Sequence, residues 1–312
     1  MYTFVIRREP VKIARYTKIS WIDFENPMES DVTYLQENFD IHPLVIEEFV
    51  TPTFRPKATQ YDNVLFLTVH IPLFDVEERT TYPGEIDIIL TKTHLITGHK
   101  KKIFQLDQLF SQLQSSLGKR RLYMSKTPAH LLHHLLNILL ETCFPRLEHV
   151  VKNIDAIERQ IFRGNEREMV KEISVVKRDV LNFRRTLMPQ RSILESLLLK
   201  ESSIISKDLK PYFQDLIGTN IRLWNALESA KETITSLEET NNSLLSNKIN
   251  EKMKLLTIFS VTLLPLTVYT GLLSINVEIP FGRFEGAFWI HLLISIFILL
   301  LVLFIFRVRK WI

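Results

Sequence analysis

LLTIFSVTLLPLTVYTGLL (255–273) and AFWIHLLISIFILLLVLFIF (287–306), with SINVEIPFGRFEG (274–286) between them, decide how this chain is read. The first run holds no ionisable group but Tyr269, and the second none but His291. Each has about twenty residues, the length an α-helix needs to cross roughly 30 Å of hydrocarbon. The segment between them is too short for a domain and long enough to reverse the chain. The expectation is a membrane hairpin over 251–312. Its first span covers about 253–274, its outer loop 275–286 and its second span about 287–307. A polar chain of about 250 residues precedes it, and that layout points to moving something across a bilayer.

The mean hydropathy of +0.06 hides this split, because the apolar surplus lies mainly in the last sixty or so positions. The preceding part is charged and long enough for a core of its own. A net charge of +4 raises the question of nucleic acid. No Gly-rich or aromatic-interleaved basic motif supports that, and no nucleic-acid partner is expected. Topology explains the cations better. Lys248, Lys252 and Lys254 precede the first span, Arg307, Arg309 and Lys310 follow the second, and the loop sets Arg283 against Glu278 and Glu285. By the positive-inside rule both termini are cytoplasmic, in a multi-pass protein of the inner or plasma membrane. MYTFVIRREPVKIARY has no apolar stretch of signal-peptide length, so no cleaved leader is expected. Cys143 is the single cysteine, which excludes an intramolecular disulfide and cysteine-rich metal sites and fits a reducing cytosol.

Residues 1–126 alternate strand and short-helix signals and read as a cytosolic α/β domain. VLFLTVHIPLF (64–74) and EIDIILTKTHLITG (85–98) read as neighbouring strands separated by a turn-prone segment with Thr80, Pro83 and Gly84. DIHPLVIEEFV (40–50) reads as a short helix started by Pro43. From 127 to 250 the period is helical. One helix runs from Thr127-Pro128 to Arg163 with a kink at Pro145, and a second from Glu166 to about Lys200. A third starts at Pro211 and meets no strong breaker before the membrane. Continuous to Leu273, it would be about 95 Å long, too long to bury in one monomer. Ala226, Ala230, Ile234, Leu237 and Leu244 recur along it at helical spacing, as a packed stalk requires.

At a 3.5-residue period one stripe of the first span is Met253, Leu256, Ser260, Leu264, Thr267, Gly271 and Ser274, with Ile258, Phe259, Val261, Leu266 and Tyr269 opposite. Small hydroxyls, glycine and scattered apolar groups suit the wall of a narrow pore, and they equally suit close packing of membrane helices. Asn276 follows the helix end. It is either a cap or, in a symmetric assembly, one member of a neutral ring of amide carbonyls. Such a ring holds a cation through its water shell, which suits Mg²⁺ because that ion dehydrates reluctantly.

MKLLTIFSVTLLPLTVYTGLLSINVE (253–278) resembles the first span of the CorA family of divalent-cation transporters. DIHPLVIEE with the following RPK (40–57), YDNVLFL (61–67), ILTK (89–92), RRTLMPQR (184–191) and PYFQD (211–215) match the family in the same order. The resemblance covers nearly the whole chain. It implies a homopentameric funnel in a lipid bilayer: an α+β cytosolic domain, a long stalk helix leading into the pore-lining span, and a second span outside it. Where the family has Gly-Met-Asn, this chain has Ser274-Ile275-Asn276, and Ile275 is similar to the zinc-transporting, ZntB-like branch with its Gly-Ile-Asn. Ser274 either bears a steric cost of about 1 kcal/mol or more, if the position needs positive φ or close backbone approach, or simply adds a hydroxyl to the pore mouth. IPFGRFEG replaces the family's acidic loop segment.

Carried over residue by residue, the resemblance makes Ser274, Ile275 and Asn276 the selectivity filter. It makes Asn250, Met253, Leu256, Leu264, Thr267 and Gly271 the pore lining, with Met253, Leu256 and Leu264 as a gate that closes by dewetting. Asp215 in PYFQD matches one carboxylate of the family's cytosolic Mg²⁺ sensor, and Asp75 in PLFD matches the other across a subunit boundary. Gly218 and Thr219 stand where the family often has acidic and histidine residues. Mg²⁺ is thus expected both as cargo and as regulatory ligand. The competing readings are a transporter of Zn²⁺, Co²⁺ or Ni²⁺ and a non-conducting scaffold or sensor that kept the fold. No P-loop, Gly-x-Ser-x-Gly or His-Glu-x-x-His motif points to an enzyme.

Overall fold

The computed structural model describes residues 11–53, 55–199, 204–274 and 286–309. The chain divides into two compact units, Met1–Glu238 and Glu239–Ile312. The first is built on a six-stranded sheet: β1 (Lys12–Tyr16), β2 (Ile19–Glu25), β3 (Lys57–Tyr61), β4 (Val64–Asp75), β5 (Thr80–Leu90) and β6 (His94–His99). Its order is β1-β2-β6-β5-β4-β3, antiparallel throughout except that β2 runs parallel to β6. The parallel pair needs a crossover, and the segment between its strands contains α1 (Glu29–Asn38) and α2 (Pro43–Val50) as well as the β3–β5 meander.

The period-2 rule of a strand sorts the sheet's side chains into two cores. Leu65, Leu67, Val69, Ile86, Ile88, Leu90, Leu95 and Trp21 point to one face. There they meet α3 (Phe104–Ser115), α5 (Pro128–Glu141) and α7 (Glu166–Leu199). Val64, Phe66, Ile89, Ile96, Ile22 and Phe24 point to the other, under α1 and α2. Phe49 of α2 lies directly on Gly98, where an added Cβ would come within 2.5 Å of its ring. The indole of Trp21 donates to Thr97 Oγ1 at 2.9 Å, and that hydroxyl donates to Asp23 Oδ1 at 2.6 Å, so this buried polar chain is paired.

Several boundaries differ from the sequence reading. The expected strand 85–98 is two strands. Thr91 interrupts it by accepting from the backbone N–H of Thr93 and His94, which closes a turn between β5 and β6. The expected turn at Thr80–Gly84 lies inside β5. The reversal instead uses residues 76–79, where Asp75 Oδ1 accepts from the N–H of Glu77 and Glu78 and Arg79 takes φ 50°. Pro145 kinks nothing. The break comes at Thr142, and Pro145 sits in the first turn of α6 (Cys143–Phe162), where its missing N–H has no helical partner to lose. Between α3 and α5 lies α4 (Leu117–Met124).

A single 3₁₀ turn, Lys207–Leu209, leads into α8 (Lys210–Leu273), one helix of 64 residues. Within the first unit its Phe213, Leu216, Leu223 and Leu227 join the larger core. Among the described residues the second unit is formed by the remainder of α8 and by α9 (Ala287–Val308). Both helices are long and apolar enough to cross a membrane.

Candidate functional site

Helix α8 is two-faced within the second unit. Ile258 and Thr262 are each 8% exposed, and Pro265, Leu266, Tyr269 and Leu273 are half-buried. These positions recur every three or four residues and form one stripe. On α9 the covered residues beyond its first turn are His291, Ser295, Ile298, Leu299, Val302 and Phe306, again one stripe, with Ala287 and Ile290 half-buried at its start. The two spans meet there, with the Tyr269 hydroxyl 2.8 Å from His291 Nδ1. Asn250, Met253, Leu256, Ser260, Leu264, Thr267, Gly271 and Ser274 are all exposed. At about 100° per residue they fall on the side of α8 roughly opposite the covered stripe. Phe259 and Val261, expected with the covered side, are exposed and flank it, because their angular positions lie at its edges.

Three details characterise the uncovered stripe. A Cβ added at Gly271 would meet nothing within 4 Å, so the glycine makes no room for α9. Thr267 Oγ1 and Ser274 Oγ donate at 3.0 Å to the carbonyls of Leu263 and Thr270, one turn back. Ser274 is not among the described non-glycine residues with positive φ, which are Thr17, Asn26, Asp62 and Arg79. Its N–H bonds the Gly271 carbonyl at 3.1 Å, so the serine continues the helix end without a left-handed turn. Ile275, Asn276 and Arg283 lie outside the described residues.

The family model for CorA-like Mg²⁺ transporter proteins matches residues 16–309. The chain belongs to the CorA family. Over 295 residues it is 28% identical to the cobalt/magnesium transport protein CorA of Thermotoga maritima, spanning 94% of this chain and 83% of that one. It is 20% identical over 309 residues to the zinc transport protein ZntB of Yersinia pseudotuberculosis, covering 96% and 90% of the two chains. The complete structure of the CorA magnesium transporter from Methanocaldococcus jannaschii shares the fold, with TM-score 0.83, 23% identity and coverage of 95% and 92%. This CorA protein therefore has the family's α/β domain, long helix and two C-terminal apolar helices.

Asp75 and Asp215, the carboxylates that the resemblance matches to a cytosolic Mg²⁺ sensor, both lie in the first unit. Asp75 is half-buried and tied by Oδ1 to the β4–β5 turn, while Asp215 is exposed on α8. Among the described residues neither hydrogen bond nor ion pair joins them, and no group of three or more His, Cys, Asp or Glu could hold a metal ion. Sequence reasoning missed two groups here. Burial pushes the Asp87 carboxyl up to about 8, against the hydrogen bond from Thr68 Oγ1 at 2.7 Å, and the charge of nearby Glu85 pushes the same way. The imidazoles of His133 and His134, adjacent in sequence, have ring centroids 5.3 Å apart.

Proposed function

We propose that the chain assembles with four copies of itself into a channel in the lipid bilayer that carries Mg²⁺ into the cell, both termini being cytoplasmic. One observation carries this reading. The face of α8 that α9 leaves uncovered is the face holding Asn250, Met253, Leu256, Leu264, Thr267 and Gly271, and a ring of such faces encloses a narrow, largely uncharged path. A hydrated ion is held at a ring of Asn276 carbonyls beside Ser274 and Ile275, then passes collars of Leu264 and Leu256 that close by losing water. Two charges moving down an inside-negative potential gain about 4.6 kcal/mol per 100 mV, sufficient for roughly thousandfold accumulation. Internal Mg²⁺ bridging Asp75 and Asp215 of neighbouring copies favours the closed state, and its loss lets the collars open.

Ile275 and the ZntB relatives favour Zn²⁺ as a second cargo. Proteoliposomes with an imposed inside-negative potential, containing native protein or Asn276→Ala, separate the readings. Mg²⁺ entry lost in the variant supports the proposal, and Zn²⁺ entry without Mg²⁺ entry selects the other cargo. No entry of either ion from assembled protein makes the chain a non-conducting scaffold.

A further inference from the structure

Between Asp107 and Glu141 the sequence contains no acidic residue, while Lys119, Arg120, Arg121, Lys126, His130, His133 and His134 all fall in that interval. The fold gathers much of this charge around one cavity of the first unit, of about 720 Å³. Its wall includes Arg121 and Tyr123 of α4, Lys126, the three histidines of α5 and Tyr212 of α8, and no carboxylate. Lys119 Nζ sits 5.7 Å from the Tyr123 ring at the same place.

His133 is 8% exposed, and its Nε2 is buried without a hydrogen-bond partner. Its ring nevertheless belongs to the wall, beside the wider-open Arg121 and Lys126. The N-terminal turn of α5 adds to the positive field, Thr127 being its N-cap. A bare metal ion does not fit, because no three of these side chains converge as ligands.

We infer that this cavity is a binding site for a small phosphate-bearing anion, with Arg121 and Lys126 supplying permanent charge and the three histidines and Tyr212 completing a wall without carboxylates. The site is independent of the ion pathway and is read without transport. All three imidazoles are held below their usual range. Burial acts first on each, followed for His130 by the charge of Lys126, which outweighs Asp208 at 3.7 Å. Burial of His133 outweighs the opposing pull of Asp215, and His134 is lowered to about 4 by burial, its two histidine neighbours and Lys126. A bound anion reverses the penalty on protonation, so binding takes up protons and tightens as pH falls, by about tenfold per pH unit for each proton taken up.

The test is calorimetric titration of the full-length detergent-solubilised protein with Mg²⁺-free inorganic phosphate, pyrophosphate and ATP at pH 6.5 and 8. Native protein is compared with Arg121→Ala/Lys126→Ala and with His133→Gln. The two cations are exposed, so the double variant keeps the fold, which its elution as the native oligomer verifies. Expected are saturable binding, tighter at pH 6.5, and at least about tenfold weaker binding by the double variant. No saturable binding of any of the three anions overturns the site. Binding that ignores both the double variant and pH overturns it equally, as does histidine-dependent binding of Zn²⁺ without anion binding.

Discussion

Leu264 is 64% exposed in one chain, in a helix whose opposite side is covered. An exposed leucine in a membrane helix is ordinary, but one in line with Leu256 and Thr267 has a role if that line faces water. Replacing it with a polar group wets the collar. Leu264→Asn is expected to admit Mg²⁺ several-fold faster into liposomes preloaded with Mg²⁺, where native protein is closed; unchanged flux removes the collar from the pathway. Asp215→Asn tests the proposed sensor instead, in which it would remove one carboxylate from an intersubunit bridge. Half-inhibition by internal Mg²⁺ should then need about tenfold more of the ion, equivalent to about 1.4 kcal/mol, and an unshifted inhibition curve dismisses the assignment. The uncovered stripe was legible in the sequence because helical spacing alone selects it. The hydroxyl hydrogen bonds of Thr267 and Ser274 were not legible, since a back-bonded and a lumen-directed hydroxyl look alike in letters.

At the scale of elements, the strands show where local reading succeeds and where it loses. VLFLTVHIPLF was recognisable as a strand from its β-branched and aromatic content, and the short helix at Pro43 from its proline. The β5–β6 break was not, because Thr91 and Thr93 have strand propensity and only their tertiary setting makes them a turn. Gly98 passed unnoticed for the same reason, its neighbour Phe49 being far away in sequence. Gly98→Ala is expected to destabilise the first unit by about 1–3 kcal/mol in denaturant titration, since a ring in a packed core must shift. Asp87 gives the sheet a pH dependence. Its folded-state carboxyl titrates near 8, well above an unfolded aspartate, so the folded state binds the extra proton between about pH 4 and pH 8. Stability therefore falls as pH rises across that window. Asp87→Asn should flatten the slope in thermal unfolding, and an unaltered slope would place its origin elsewhere.

For the whole molecule, the architecture was readable from hydrophobic run lengths and the uninterrupted pattern after Pro211, because both are long-range regularities. Copy number is not written in either. The lone cysteine makes it measurable: Cys143 is buried, and burial together with Glu141 pushes its thiol up to about 12, so it is unreactive at neutral pH. A cysteine placed in α8 becomes the sole reactive thiol of a near-native chain. Oxidation of Leu264→Cys in membranes should give covalent dimers, and Ile258→Cys, on the covered side, should give none. Equal cross-linking at both positions contradicts the proposed arrangement. The back-bonded hydroxyls of α8 then have a consequence for charge sign. Thr267 and Ser274 have already used their protons on backbone carbonyls, so along the proposed pore they would offer only lone pairs. Water along such a wall donates to it and turns its own oxygens toward the axis. The file so ordered solvates cations and repels chloride without any fixed negative group, and Mg²⁺ entry should carry net current with no accompanying anion.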